Sequence, residues 1–390
     1  MRNGSPRHRI AYVDGLRAVA VLLVVAFHTS KYSGMAPGGA VATLLRAGSH
    51  GVDLFFVLSG FCLSYPTLAR LERDGCATFD VVRFAAHRIV RIVPPYYLAI
   101  AFFIAFALLL NAAHVPLPGA MPQGAISPSD VAMQALFLDG AQVKLLNGSF
   151  WTLPVEFRWY FVFPIVLWVW TRSPKAFALI AAGAALLFVT RGANVDAFVL
   201  PAFMSGIVAA AIHIRQIRLG WWPAAACIVL AGAAFATMGK TEWTYDFNPF
   251  WYLAAFAFVV AAGSSARLSA LLSLRVLTVV GFASYSIYLV HEPLIAFAQE
   301  HGLNPAAAAA IGLAAGFAFW AVAERPFVEG RVRKRLLSEF ETTFGRWIPR
   351  AGLPRSFLAS QDVDRASPNG DDGNQRDETL SHHQHLGAGT

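Results

Sequence analysis

The sequence predicts an all-α, polytopic membrane protein with about ten transmembrane helices and both termini in the cytoplasm. Three observations carry that class. Of 390 residues, 56% are hydrophobic and 14% charged, whereas soluble domains run near 45–50% apolar and about 25% charged. A soluble body of this composition would leave its apolar excess facing water. The apolar residues gather in runs close to the roughly 20 residues that a spanning helix needs, and the cations between the runs alternate in abundance from loop to loop.

Taken in order, the expected spans are 14–31, 51–68, 94–113, 150–170, 175–190, 196–213, 219–237, 249–265, 276–298 and 305–324. The first run follows Arg2, Arg7 and Arg9 as a signal peptide would. It carries Arg17 and His28, however, and has no small-residue cleavage site, so it reads as an uncleaved span. With the N-terminus inside, the inner segments hold 18 Lys and Arg and the outer loops five, namely Lys31, Arg46, Lys144, Arg191 and Lys240. That asymmetry supports the orientation and an even number of spans. The outer loop 114–149, rich in Pro and Gly, is expected to carry little regular structure and to line a substrate entrance.

The chain divides at about residue 340 into a transmembrane domain, 1–340, and a polar cytoplasmic tail, 341–390, expected to be disordered. The net charge of +8 does not point to nucleic acid, because the cations lie in short clusters. Cys62, Cys76 and Cys227 are too few and too scattered for a disulfide framework or a metal site. His382, His383 and His385 read as part of the tail, and no metal is expected.

Ionisable groups inside a bilayer are costly and invite a functional explanation. On the first span Arg17 and His28 are eleven residues apart, within about 20° of one another around the helix and about 16 Å apart along it. Asp14 lies about 60° from Arg17. On the fourth span Glu156 shares a face with Thr152 and Tyr160, while Arg158 lies nearly opposite. On the ninth, Ser284, Tyr288 and His291 form one stripe, with a kink expected at Pro293. Asp53 enters the second span from the outside. His28, Asp53, Glu156 and His291 thus reach comparable depth, in the outer half. On the inner side Arg83, His87, Arg88 and Arg91 form a basic cluster, with Arg88 and Arg91 one turn apart and able to clamp phosphates.

Six blocks, in order, carry a resemblance. They are Asp14-Gly-Leu-Arg-Ala with His28, Gly51-Val-Asp-Leu-Phe-Phe-Val-Leu-Ser-Gly-Phe, Arg88-Ile-Val-Arg-Ile-Val-Pro-Pro-Tyr-Tyr, Phe150-Trp-Thr-Leu-Pro-Val-Glu-Phe-Arg-Trp-Tyr, Ser284-Tyr-Ser-Ile-Tyr-Leu-Val-His and Glu324-Arg-Pro-Phe. Across residues 10–330 the chain resembles the acyltransferase-3 family of integral membrane O-acyltransferases. Its members place acetyl or other short acyl groups, typically from acyl-CoA, on surface polysaccharides, lipopolysaccharide, peptidoglycan, Nod factors or macrolides. The resemblance implies that Arg17 and His28 match the family's Arg and His of the first span, Arg88 and Arg91 its Arg-x-x-Arg motif, and Glu156 its acidic residue. Pro154 and Arg158 depart from the pattern.

The expectations follow. Acyl-CoA is the donor, with acetyl-CoA the family default, and no cofactor is bound. Its phosphates meet Arg88, Arg91 and Arg17, and the thioester reaches His28. His28 acts as general base or, second, as acyl carrier, and Glu156 orients it. Asp53, Ser284, Tyr288 and His291 bind the acceptor. That acceptor is a hydroxyl of a surface polysaccharide or its lipid-linked precursor, or else of a small or macrolide-like molecule. The chain sits in the inner cell membrane and acts on its acceptor directly or through a separate acyl-transfer partner. A secondary transporter or flippase is the competing class.

Overall fold

A computed structural model describes residues 10–36, 39–75, 77–124, 126–138, 143–191, 195–238, 245–344 and 351–353. Arg2, Arg7, Arg9, Cys76, Lys240, the chain beyond 353 and its three histidines lie outside the described residues. In chain order the helices are α1 (Ala11–Lys31), α2 (Ala40–Arg46), a 3-10 turn (Ala47–His50), α3 (Gly51–Asp74), α4 (Val81–Ala112), α5 (Pro128–Ala135), a second 3-10 turn (Gly148–Trp151), α6 (Thr152–Arg172), α7 (Pro174–Arg191) and α8 (Val195–Ile214). They continue with α9 (Trp222–Thr237), α10 (Pro249–Ser264), α11 (Ala266–Leu272), α12 (Arg275–Phe282), α13 (Ser284–Glu300), α14 (Pro305–Phe319), a π-turn (Trp320–Glu324), α15 (Arg325–Val328) and α16 (Arg331–Phe344).

Every expected span falls on a helix, and the chain is an all-α polytopic membrane protein. Among the described residues six helical stretches are long and apolar enough to cross a bilayer, or eight if each of two bent pairs is one span. The expected spans 175–190 and 219–237 are apolar but shorter. At 16 residues α9 rises about 24 Å, under the roughly 30 Å hydrocarbon core. The ninth span bends by 72° between α12 and α13, at Ala283, whereas Pro293 sits inside an unbroken α13.

Side chains such as Leu109, Leu179, Ile228 and Val229 stand exposed on the outside of the bundle, as lipid-facing residues do. Phe61, Phe103, Phe150, Phe163 and Phe203 are fully buried within it. Small residues set how closely the helices approach. A Cβ at Gly60 would lie 1.9 Å from the carbonyl oxygen of Phe203, and one at Gly206 2.0 Å from that of Val57. Backbone therefore rests on backbone where α3 meets α8.

One expectation about loops is corrected. Segment 114–149 contains α5, whose N-terminus is a capping box: the Ser127 hydroxyl accepts from the Asp130 amide and the Asp130 carboxylate accepts from the Ser127 amide. The boundary at 340 is crossed by α16, which runs to Phe344, and strand β2 (Ala351–Leu353) pairs antiparallel with β1 (Ala77–Phe79). Finally, α4 starts at Val81, capped by Asp80, and continues through Pro94-Pro95. Its 32 residues rise about 48 Å, so the basic cluster and the apolar span are one rod.

Candidate active site

The i, i+3 spacing of Arg88 and Arg91 turns both guanidiniums to one side of α4, where they line a cavity of about 830 Å³. The other walls are Arg17 of α1, Ser59 and Cys62 of α3, Thr152, Glu156 and Tyr160 of α6, and Ser284, Tyr285 and Tyr288 of α13. The first-span, Arg-x-x-Arg and acidic-residue motifs therefore meet in one space. Three guanidiniums face one carboxylate there, a surplus of two positive charges. Glu156 accepts hydrogen bonds from Ser59 Oγ at 3.1 Å and from Tyr160 Oη. Arg88 Nε is buried without a hydrogen-bond partner. Buried donors are normally satisfied, and this one has no partner among the described residues.

One wall of the cavity leads to the histidines. The hydroxyls of Thr152 and Tyr288 lie 2.8 Å apart, and the Tyr288 ring is 5.9 Å from that of His291. His291 Nε2 is 2.9 Å from His28 Nδ1, and His28 Nε2 is 3.2 Å from Glu292 Oε1. Lys31 Nζ and Tyr32 Oη also donate to Glu292 Oε1, at 3.2 and 2.9 Å, and Ser149 Oγ donates to Oε2 at 2.6 Å. Gly148 permits this contact, since a Cβ there would lie 2.9 Å from the carboxylate. Neither His28 nor His291 lines the cavity itself.

The proton content of this cluster follows from its acceptors. His291 Nδ1 faces only carbonyl oxygens, those of Ile287 and Tyr288 at 3.0 Å, so it carries a proton. Glu292, ringed by Lys31, Tyr32 and Ser149 as donors, is a carboxylate, which completes its set when His28 Nε2 is protonated. His28 Nδ1 lies 2.9 Å from His291 Nε2 and 3.1 Å from the carbonyl oxygen of Val24, so the two rings and the carboxylate form one hydrogen-bonded chain.

The structure thus brings Arg17, Arg88, Arg91, Glu156, Ser284 and Tyr288 to one cavity and His28 and His291 to each other. It separates Glu156 from His28: the carboxylate on the imidazole is Glu292. Sequence reasoning passed over Glu292 although it is an ionisable residue inside an apolar run, directly after His291, and so met the same criterion as the others. Asp53 is not in the cavity either. It is fully buried, accepting from His50 Nδ1 and Tyr245 Oη, each at 2.7 Å. Arg158, opposite Glu156 as expected, pairs with Asp196 at 3.1 Å.

Among curated proteins, the chain is 24% identical over 337 residues to the peptidoglycan O-acetyltransferase OatA of Listeria monocytogenes, covering 74% of this chain and 50% of that protein. It is 24% identical over 344 residues to the O-acetyltransferase OatA of Staphylococcus aureus, covering 76% and 52%. The chain spans about half the length of these relatives. It is also 26% identical over 328 residues to the acyltransferase MdmB of Streptomyces mycarofaciens, covering 75% and 80%. No solved structure matches. A profile described as an acyltransferase domain matches residues 10–325, which include the cavity, both histidines and Glu292, and the chain therefore belongs to that family.

Proposed function

We propose that the protein is an O-acyltransferase of the inner cell membrane that moves an acyl group, acetyl in the first instance, from cytoplasmic acyl-CoA to a hydroxyl of a glycan. The observation that carries this reading is the convergence of Arg17, Arg88 and Arg91 on a cavity whose Thr152–Tyr288 wall adjoins the His28–His291 pair. The guanidiniums suit the donor's phosphates, since bidentate, charge-assisted pairing to phosphate is what arginine does best. The distance along α1 from Arg17 to His28, about 16 Å, separates phosphate recognition from chemistry. The name of the Listeria relative, a peptidoglycan O-acetyltransferase, supports a glycan acceptor.

In this reading the acceptor oxygen attacks the thioester carbonyl, the new C–O bond forms and the C–S bond breaks. His28, neutral before attack, takes the hydroxyl proton. The proton then passes to the departing thiolate to give the free thiol. Glu292 supplies the counter-charge that a histidine base needs when it becomes imidazolium. Glu156, held by Ser59 and Tyr160, orders the phosphate end of the cavity. Acceptor contacts fall to Ser284 and Tyr288, and no separate transfer protein is required by the chemistry.

The test is release of free CoA thiol from acetyl-CoA, and label transfer to an N-acetylglucosamine oligomer, by the full chain in nanodiscs. The wild type should do both and His28→Ala neither, while still purifying as a folded monodisperse protein. Undiminished release by His28→Ala would overturn the base assignment. Wild-type protein inert towards acetyl-CoA would overturn the donor.

A further inference from the structure

A second cavity, of about 1,030 Å³, lies between the inner end of α8, the turn 215–220 and the end of α10. Its polar lining is His213, Gln216, Arg218 and Ser264, and its apolar walls include Ile212 and Val260. No carboxylate lines it, so its one formal charge is the Arg218 guanidinium. The transfer chemistry proposed above uses none of these residues. His213 Nδ1 is 3.1 Å from Tyr12 Oη, which leaves the other ring nitrogen for an occupant. With the Tyr12 hydroxyl donating, that nitrogen carries a proton, and the polar lining becomes a set of donors: guanidinium, imidazole N–H, amide and hydroxyl.

The depth of the cavity identifies its occupant. Directly after the turn, Trp221 and Trp222 stack at 4.3 Å and are 65% and 66% exposed. Exposed tryptophans of a membrane protein sit at the headgroup level, and the neighbouring Arg215, paired with Glu72 at 3.9 Å, lies on the side that the charge asymmetry reads as inner. A cavity at that level, with donors and a cation on one side and aliphatic walls on the other, matches a molecule with an anionic head and an apolar tail. We propose that it binds one anionic phospholipid of the inner leaflet, with the phosphate on Arg218 and His213 and the start of an acyl chain along Ile212 and Val260. The bound lipid would wedge α8 against α10, next to the α3–α8 contact.

Native mass spectrometry of the full chain tests this, after equilibration with equal amounts of phosphatidylglycerol and phosphatidylcholine. One phosphatidylglycerol should survive collisional activation that removes phosphatidylcholine. Arg218→Gln should cut that preference about fivefold, the effect of one basic residue near anionic lipid, and Arg218→Glu should abolish it. Both changes are at an exposed position and leave the core untouched. Arg267→Gln, an exposed inner cation outside the cavity, should leave the preference unchanged. Equal retention of the two lipids by the wild type, an unaltered preference in Arg218→Gln, or an equal loss in Arg267→Gln would overturn the site. Displacement of the lipid by inorganic phosphate alone would overturn the lipid assignment in favour of a free anion.

Discussion

His28 Nε2 and Glu292 Oε1 stand 3.2 Å apart, joining α1 to α13 through a contact that is almost closed to solvent. The carboxylate arrives from the residue next to His291, whose ring holds the other side of the same imidazole. One short stretch of α13 therefore fixes both nitrogens of His28.

Glu292→Gln keeps the shape and removes the charge that would balance an imidazolium formed at His28 when it takes a proton. Transfer should fall by about 100-fold, within the range general-base catalysis contributes, with the half-saturating acetyl-CoA concentration little changed. Steady-state CoA release separates the two parameters. Loss of donor affinity instead of turnover would assign Glu292 to donor binding.

Arg88→Lys keeps the charge and loses the planar fork, which a lysine cannot reproduce at a bidentate site. Donor affinity should weaken by at least about tenfold, and Arg88→Ala more, as for removal of a buried charge partner. Equilibrium binding of a non-hydrolysable acyl-CoA analogue reads this directly.

Gly60→Ala places a methyl 1.9 Å from a backbone oxygen, which no rotamer change relieves, so α3 and α8 must part. Overpacking of this kind costs about 1–3 kcal/mol. Thermal unfolding in detergent should show a lowered midpoint for Gly60→Ala and Gly206→Ala, and no such loss for Gly232→Ala, where a Cβ meets nothing within 4 Å.

Asp130, in the first turn of α5, is held below the ordinary aspartate range by the Ser127 hydroxyl and then by the Lys144 amide. A depressed carboxylate contributes stability above its unfolded value and loses it as pH falls through the folded one. Protection factors of the amides across 128–135, which remove the intrinsic pH dependence of exchange, should therefore fall on acidification below the carboxylate range, and Asp130→Asn should show the lower protection already at neutral pH.

The spans were legible because a bilayer imposes length and apolarity on each helix separately. The convergence of Arg88 and Arg91 on one side of α4 was legible because spacing along a helix is a local property. The partner of His28 was not. Glu156 and Glu292 both lie at suitable depth, and only the packing of α1 against α13 decides between them. Asp53 failed for a related reason. Phase along α3 turns Val52, Phe56 and Ser59 to the cavity and leaves Asp53 to His50 and Tyr245, a distinction visible only once the neighbours are in place.

The contacts beyond the last span make α4 a tethered rod. Arg333 reaches His87 at 3.0 Å, Glu341 reaches Arg83 at 3.6 Å, and β2 adds a strand to the segment just ahead of α4. The inner foot of the helix that carries Arg88 and Arg91 is thereby moored by chain synthesised some 250 residues later. During synthesis α4 is made long before its mooring exists, so these contacts form only after residues 331–353 have left the ribosome.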